Sequence, residues 1–314
     1  MTKSKGLMIN NYVNSYFEDI QLKKWEEYFY VKPREFLDLD MNEINKYIKE
    51  NDIRFIHIPM WSNLDYSKFK DFIVPVIIAL GDAPRRLQSD ILKNIVVNNK
   101  FWGVSLHSYS PIDCIRDYFY PHDAEILPYI WGLDFSVFKN YNLPKDIDVS
   151  STGKYSNYQM RREIDDAMYC DVYRIKFVRE RKMATNKESH IEYAKFLNRS
   201  LFSVGGCLQN KSMSHYKGKL ISDNVPKNFE ISAVNTCLLN TEWGDREILG
   251  FKDGENCIIV KSPIDAVRKV NYYKDNLELL KKITDNGYNL VHKNNDIDIT
   301  TQKFVLSIEK KLPN

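Results

Sequence analysis

The segment KNFEISAVNTCLLNTEWGDREILGFKDGENCIIVKS, residues 227–262, decides the fold prediction for this chain. It starts as a helix near Asn228, continues into the strand-like run TCLLN (236–240), turns at 253–256 and ends in NCIIV (256–260). The apolar run SLFSVGG (200–206) lies upstream of the helix. Strands that alternate with helices in this way are typical of parallel sheets with crossover connections.

The same alternation extends over most of the chain. In the second half it includes IDVSSTG (147–153) and VYRIKFV (172–178). In the first half it includes IRFIHIPM (53–60), FIVPVIIAL (72–80), FWGVSL (101–106) and AEILPYIW (124–131). These first-half runs are too apolar for strands with one face in water, so they predict a sheet covered on both faces. We therefore expect two consecutive α/β units joined near residue 140.

Local signals refine the element limits. The first fifty residues predict helices, over 11–30 and 41–50, and no strand. Ser262 followed by Pro263 predicts a capped helix start, and Gly287 predicts a helix end in the left-handed conformation. Thr300 or Thr301 predicts the start of a last helix, with Phe304, Ile308 and Leu312 on one face. The predicted domains are residues 1–140 and 141–300, followed by a terminal helix over 301–314.

Composition bounds the class of protein. The 314 residues are 43% apolar and 28% charged, with a net charge of +3. This charge is too small to indicate nucleic-acid binding by itself. No segment has the length and hydropathy of a membrane helix or the pattern of a signal peptide. The five cysteines form no CxxC pair, so we expect free thiols and a cytoplasmic location.

Lys227 and Glu230 are the first candidate binding residues. They lie at the predicted helix start, where unpaired amides and the helix dipole favour anions. Lys227 could therefore contact a diphosphate, and Glu230 could accept hydrogen bonds from a ribose diol. The alternative is a solvated lysine and a glutamate that only stabilises the dipole.

Turn residues supply three further candidates. Gly153 follows the run IDVSST, where a glycine lets a ligand approach the backbone or simply forms a turn. No GxGxxG fingerprint accompanies it. Glu255 and Asn256 belong to the turn that contains Asp253–Gly254, and such a turn by itself indicates no function.

Catalytic candidates come from the first half. Asp82 and His107 each follow an apolar run, where an open parallel sheet binds its ligands. His107 could act as a general base, since its reference pKa is near neutrality. A structural role for the histidine and a helix-capping role for the aspartate are the alternatives. The basic run RIKFVRERK (174–182) predicts either a solvated edge or a phosphate-facing patch.

Metal binding is not expected. DxD sequences occur at 38–40, 146–148 and 296–298, and some transferases hold a divalent metal with such a pair. None of the three follows a predicted core strand, and His190 and His292 show no ligand spacing. We predict no metal and no cofactor.

The second unit resembles the C-terminal domain of group 1, family 4-like glycosyltransferases. The similarity lies in KNFEISAVNTCLL, LGFKDGENCIIVKSPIDAVRKVNYYKDN and LELLKKITDNGYNLV. It is closest to the subgroup of spore-maturation-like proteins of bacteria and large viruses. EYAKFLNRSLFSV and EILPYIWGLDFSVF also resemble family segments. The resemblance implies a GT-B fold of two Rossmann-like domains, with the last helix crossing back to the first domain.

The same resemblance implies functional roles. Glu230 would bind the donor ribose and Lys227 the donor diphosphate. Glu255 and Asn256 would lie near the nucleotide, and Gly153 would match the glycine after the first strand of the donor domain. The activity implied is transfer of a sugar from a nucleoside-diphosphate sugar, such as a UDP-sugar, to a glycan, lipid-linked or protein acceptor, without a metal.

Two positions depart from the family pattern. Many relatives carry a second glutamate that contacts the sugar, where this chain has Ser222, and a glycine where it has Asn235. A catalytically silent nucleotide-sugar- or glycan-binding relative is therefore one alternative. A transferase acting on DNA bases is a further alternative, which the modest net charge does not favour.

Overall fold

A computed structural model of the chain describes residues 5–10, 16–59, 66–80, 96–97, 101–107, 109, 111–153, 159–180, 186–206, 217–218 and 225–313. The chain divides into two compact units. Unit 1 is Met1–Ile130 with Ile297–Asn314, and unit 2 is Trp131–Asp296. The domain limits proposed at residues 140 and 300 stay predictions.

The strands are β1 (Gly6–Asn10), β2 (Tyr30–Pro33), β3 (Phe55–Pro59), β4 (Val76–Leu80), β5 (Gly103–Leu106), β6 (Glu125–Pro128), β7 (Ile147–Thr152), β8 (Phe177–Glu180), β9 (Ser200–Val204), β10 (Cys237–Asn240) and β11 (Ile258–Ile259). The α-helices are α1 (Tyr16–Tyr28), α2 (Met41–Glu50), α3 (Ile112–Phe119), α4 (Gln159–Met168), α5 (Lys187–Asn198), α6 (Lys227–Ala233), α7 (Pro263–Lys274), α8 (Leu277–Asn294) and α9 (Ile297–Lys311). Short 3-10 helices span Arg34–Asp38, Tyr66–Asp71 and Asp171–Tyr173.

Unit 1 contains a parallel sheet with the order β2-β1-β3-β4-β5-β6 over its described residues. One face packs a core that includes Ile44, Ile56 and Val104. The other face packs Met8, Ile77 and Leu127 against side chains of α1 and α9. Both faces of the sheet are therefore buried, as the apolar first-half runs predict.

The first strand, β1, corrects the prediction that the opening fifty residues are helical. Its residues GLMIN pair in parallel with β2 on one side and β3 on the other. The apolar run Leu7–Ile9 is too short to show a periodicity. Pairing on both sides, which the sequence does not display, makes this segment an inner strand.

Unit 2 contains a second parallel sheet, with the order β11-β10-β9-β7-β8 over its described residues. The predicted runs at 147–153, 200–206 and 236–240 all become strands. The run VYRIKFV does not, because its first residues form a 3-10 helix that ends at Arg174 in the left-handed conformation, φ +51°. The strand β8 begins only at Phe177.

Two helix signals in unit 2 have opposite outcomes. Ser262 caps α7 as predicted, since its Oγ accepts from the Asp265 amide at 3.2 Å and Pro263 is the first helical residue. Gly287 does not end a helix. It lies inside α8, where a Cβ would come within 2.6 Å of the Asn256 carbonyl oxygen. The glycine therefore allows a close approach between a helix and a turn.

The terminal helix α9 belongs to unit 1. It begins at Ile297, one turn before the predicted Thr300 or Thr301. Its predicted apolar face is confirmed, since Phe304, Ile308 and Leu312 are all buried. Gln21 of α1 reaches Thr301 at 3.5 Å, so α9 packs beside α1 as well as on the sheet.

Candidate functional site

The carboxyl end of β7 brings together two predicted residues, Gly153 and Lys227. Lys227, the first residue of α6, donates from Nζ to the carbonyl oxygen of Thr152 and to its Oγ1, the latter at 2.7 Å. Gly153 has φ +92°, and a Cβ there would lie 3.2 Å from Lys227 Nζ. The left-handed backbone favours glycine, and the missing side chain avoids a close contact between a Cβ and the ammonium.

Glu230 lies in the first turn of α6, beside Lys227. Its Oε2 accepts a hydrogen bond from the Tyr193 hydroxyl at 3.0 Å, whereas its Oε1 accepts none from the described residues. Burial raises the pKa of Glu230, and the Lys227 ammonium, the Tyr193 hydrogen bond and His190 act against this rise. The structure therefore presents a carboxylate with one oxygen fixed and the other available to a ligand.

Arg161 is a neighbour of this site that the sequence analysis does not identify. Its guanidinium is buried and donates to the Thr152 carbonyl at 2.8 Å. It would also lie 3.6 Å from a Cβ at Gly153. The helical spacing contains a signal, because Arg161 shares the buried face of α4 with Ile164 and Met168, whereas Arg162 is exposed.

A buried ion pair is hydrogen bonded to the backbone of the Gly153 turn. Asp165, which is fully buried, accepts from Ser151 Oγ at 2.8 Å and lies 3.5 Å from Arg179 Nε. Arg179 donates to the Gly153 carbonyl at 2.7 Å. Arg179 belongs to the basic run 174–182, for which a solvated edge or a phosphate-facing patch is predicted. The structure instead buries this side chain in an ion pair, and residues 181–182 lie outside the described residues.

Asn228 fixes the start of α6 against the ends of two strands. Its Oδ1 accepts from the Gly206 amide at 3.0 Å and from Asn240 Nδ2 at 3.1 Å. At the other end of α6, Asn235 adopts φ +57°, a left-handed conformation that asparagine tolerates better than most residues. Asn235 therefore adopts a backbone conformation that a glycine could also adopt. Ser222 lies outside the described residues.

Glu255 and Asn256 are not brought together with Lys227. They precede β11, and residues before a strand lie at the opposite edge of a parallel sheet from residues that follow one. Asn256 accepts from the Lys252 amide at 2.7 Å and donates to the Gly250 carbonyl at 2.9 Å. Glu255 is exposed and lies 3.4 Å from Lys252 Nζ. The structure shows these residues forming a turn, and their contact with a nucleotide stays a prediction.

His107, in unit 1, follows β5 and is half-buried. Its Nδ1 lies 2.9 Å from the carbonyl oxygen of Tyr129. A carbonyl only accepts, so Nδ1 must carry the hydrogen, which puts the lone pair of the neutral ring on Nε2. Asp82, the other catalytic candidate, lies outside the described residues.

A second histidine, His57, lies on the same face of this sheet and is missed by the sequence analysis because it sits inside an apolar run. Its Nε2 is 2.8 Å from Ser105 Oγ, and its Nδ1 has no hydrogen-bond partner among the described residues. Burial, followed by the effect of His107, lowers the pKa of His57 to about 3. His57 is therefore a buried neutral group.

The described residues contain no group of three metal-ligating side chains. In the DxD pair at 146–148, Asp146 accepts a hydrogen bond from Arg199 Nε at 2.8 Å, and Asp148 forms an ion pair with Lys274. None of the described helices is long and apolar enough to cross a membrane. Cys237 and Cys257 are buried thiols and Cys170 is exposed.

Residues 146–305 match the family model described as "Glycosyl transferase-like". A glycosyltransferase from Rickettsia africae shares the fold with a TM-score of 0.65 and 12% identity, covering 98% of this chain and 99% of that one. Comparison with curated proteins finds no match.

Two further structures resemble the chain over almost its whole length. HepE of Anabaena, solved in complex with UDP-glucose, gives a TM-score of 0.61 with 10% identity, covering 97% of this chain and 99% of that one. Sucrose-phosphate synthase from Thermosynechococcus elongatus gives 0.62 with 10% identity, covering 97% of each chain. At these identities the likeness establishes the fold, and it confirms the predicted arrangement of two parallel-sheet domains.

Proposed function

The chain belongs to the glycosyl transferase-like family and has the GT-B fold, and from this premise we propose that it transfers a sugar from a nucleoside-diphosphate sugar to an acceptor. The observation that carries the proposal is the cluster of Gly153, Lys227 and Glu230 at the carboxyl end of the β7 sheet. HepE, which shares the fold, binds UDP-glucose in its own structure. The membership of the spore-maturation-like subgroup stays a prediction.

The donor diphosphate would lie at the Gly153 turn. Lys227 and Arg161 both point their cationic groups at the space beside this glycine, within 3.2 and 3.6 Å of its Cβ position. Each cation is hydrogen bonded to the Thr152 carbonyl, so it is already oriented before a ligand arrives. Two oriented cations beside a backbone position that carries no side chain suit a diphosphate.

The donor ribose would bind Glu230. A carboxylate accepts two hydroxyl hydrogens well, and Oε1 is the oxygen to which the described residues supply no donor. Tyr193 fixes Oε2 and thereby the plane of the carboxylate. Ribose hydroxyls would provide the hydrogen bonds that keep this half-buried group ionised.

In the reaction, the bond between the anomeric carbon and the diphosphate oxygen breaks, and a bond from an acceptor oxygen to the anomeric carbon forms. The departing diphosphate gains negative charge, which Lys227 and Arg161 stabilise because they are fixed before the reaction begins. We propose that this replaces a metal at the diphosphate. His107, with a lone pair on Nε2, would take the acceptor proton, and Asp82 remains the alternative base.

The acceptor class of glycan, lipid-linked sugar or protein stays a proposal, as does the cytoplasmic location. The proposal is tested by a thermal-shift screen of UDP-, GDP- and ADP-sugars, since a ligand that binds the folded state raises its melting temperature. We expect at least one nucleotide sugar to stabilise the protein and the Glu230→Gln variant to lose that response. A protein indifferent to every donor would contradict the proposal. Binding without hydrolysis or transfer would instead favour the catalytically silent relative.

A further inference from the structure

A cavity of about 680 Å3 lies within unit 2, at the amino-terminal edge of its sheet. Its lining includes Lys145, just before β7, and Asn235, just before β10. The six residues of β7 span about 20 Å at 3.3 Å per residue and separate Lys145 from Gly153. This cavity is therefore distinct from the proposed donor site, which lies at the carboxyl ends of the same strands.

Lys145 is the charged group that distinguishes the cavity. Its Nζ donates to the Asn235 carbonyl at 2.6 Å and to Thr236 Oγ1 at 3.3 Å. No carboxylate among the described residues pairs with it. Desolvation lowers the pKa of Lys145 to about 8, so the amine is still mostly protonated at neutral pH. An ammonium has three N–H donors, and two of these have partners among the described residues.

The other charged groups of the lining neutralise each other. Lys281 pairs with Asp285 across one helical turn of α8. Asn235, held in its left-handed conformation, directs its carbonyl to Lys145 and its Nδ2 towards Asp285 Oδ1 at 3.5 Å. The cavity therefore carries one uncompensated positive charge, on Lys145.

The remaining surface is largely aliphatic. Leu143, Leu201, Leu277 and Leu280 line the cavity, and Leu277 is 56% exposed at the start of α8. Leucine side chains accessible from a concave surface gain free energy when an apolar group covers them. The volume lies within the range of about 300–1,000 Å3 typical of small-molecule sites.

We propose that this cavity binds a small organic monoanion, with its carboxylate on Lys145 and an apolar body against the leucines. One uncompensated cation matches one negative charge, whereas a phosphate dianion would bring a second charge with no partner in the cavity. The amine donates its third hydrogen to the carboxylate, and the leucines contact the apolar body of the ligand. Binding in this cavity does not depend on the proposed donor site.

Three probes of similar shape and different charge test the proposal: 4-phenylbutyrate, 4-phenylbutanol and 4-phenylbutylamine. Their binding to the full chain is measured by saturation-transfer NMR in the presence of an excess of UDP, GDP and ADP, which keeps the proposed donor site occupied. We expect 4-phenylbutyrate to bind saturably in the millimolar range and at least about tenfold more tightly than the alcohol and the amine.

Two matched variants locate the binding. Lys145→Met keeps the aliphatic stem and removes the charge. It should weaken binding of 4-phenylbutyrate at least about tenfold. Lys176→Met removes another lysine of the same sheet edge, one that lies 3.9 Å from Asp146, and it should change nothing. Equal binding of the three probes, or undiminished binding to a folded Lys145→Met protein, would overturn the proposal. If that variant does not fold, the comparison of probes on the unmodified chain still decides.

Discussion

The two units bury polar groups in different ways: unit 2 buries charged groups beside the proposed donor site, and unit 1 buries neutral groups in its core. Below the Gly153 turn, unit 2 buries charged groups: Arg161, Asp165 and Arg179 are each at most 5% exposed by residue or side chain. Beneath α1 and α9, unit 1 buries neutral groups, among them His57 and Tyr129. Charged side chains that are held in place can bind a charged ligand. A buried neutral histidine instead makes the folded state less stable at the pH values where the imidazole would be protonated in water.

The neutral cluster has unsatisfied atoms. His57 Nδ1, Tyr129 OH, Trp25 Nε1 and Gln21 Oε1 are buried without a hydrogen-bond partner among the described residues. The rings of Trp25 and Phe304 lie 5.6 and 5.7 Å from the His57 ring, so its surroundings are mostly aromatic. Such surroundings stabilise an uncharged imidazole and make its protonation costly.

The largest expected effect is the loss of the Glu230 carboxylate. Glu230→Ala should weaken binding of the donor nucleotide by at least about tenfold, because hydrogen bonds to a charged group contribute roughly 1.5–3 kcal/mol. Isothermal titration with the donor identified by thermal shift measures this change. Glu278→Ala is the matched control, since Glu278 also lies in the first turn of a helix, α8, but is exposed. If both variants bind the donor like the parent protein, the unit 2 cluster is not the donor site.

The next effect concerns the neutral cluster and is a loss of stability in acid. The pKa of His57 is about 3 in the folded protein, against 6.5 in the unfolded chain. The unfolded state therefore binds more protons between these values, and stability falls as the pH drops below 6.5 until the pH nears 3. At pH 5 this single group should cost on the order of 2 kcal/mol.

Urea unfolding at pH 7.5 and pH 5 measures this loss. His57→Gln, which cannot titrate, should reduce the difference in unfolding free energy between the two pH values. His122→Gln is the control, because His122 is half-buried and its Nε2 lies 2.7 Å from the Phe101 carbonyl. The interpretation of His57 is wrong if its variant retains the full pH dependence of the parent.

Gly153→Ala tests the backbone of the charged cluster. A left-handed φ costs a residue with a side chain about 1 kcal/mol or more, and the new Cβ would crowd Lys227 Nζ at 3.2 Å. We expect a lower free energy of unfolding, and a weaker response to the donor in the protein that remains folded. Gly218→Ala is a control of similar backbone, since Gly218 has φ +78° with no atom within 4 Å of a Cβ. Equal donor affinity in the two variants would argue against a ligand at the Gly153 turn.

The smallest effect should come from Tyr193→Phe, which removes one hydrogen bond and keeps the ring. This bond opposes the rise in the pKa of Glu230 that burial causes, so its loss should raise that pKa further. Donor affinity should fall a few-fold, which corresponds to about 1 kcal/mol of binding free energy. As the pH is lowered, donor binding should be lost at a higher pH than in the parent protein. Donor titrations across a pH series detect the shift. An unchanged pH profile would mean that Tyr193 does not set the protonation of Glu230.

The sequence places Lys227 and Glu230 correctly at a helix start, because a helix terminus has a local signature. It does not identify Arg161 or Tyr193, since an arginine in a helix and a tyrosine in a helix have many roles. Their proximity to Thr152 and Glu230 depends on how α4 and α5 pack on the sheet. The prediction that Gly287 ends a helix is wrong for the same reason. A glycine that ends a helix and one that admits a neighbouring carbonyl look alike until the neighbour is placed.

By itself, the sequence determined that this chain forms two parallel-sheet units, where most of their strands lie, and that a capped segment from Lys227 to Ser262 lies in the second. Apolar periodicity, turn residues and capping residues act over a few positions, so they can be read from neighbours in the chain. Only the tertiary structure decided that β1 is an inner strand, that Lys227 and Arg161 meet at Gly153, and that Glu255 and Asn256 form a separate turn. Those outcomes depend on contacts between residues far apart in the chain, and packing of the whole unit selects them.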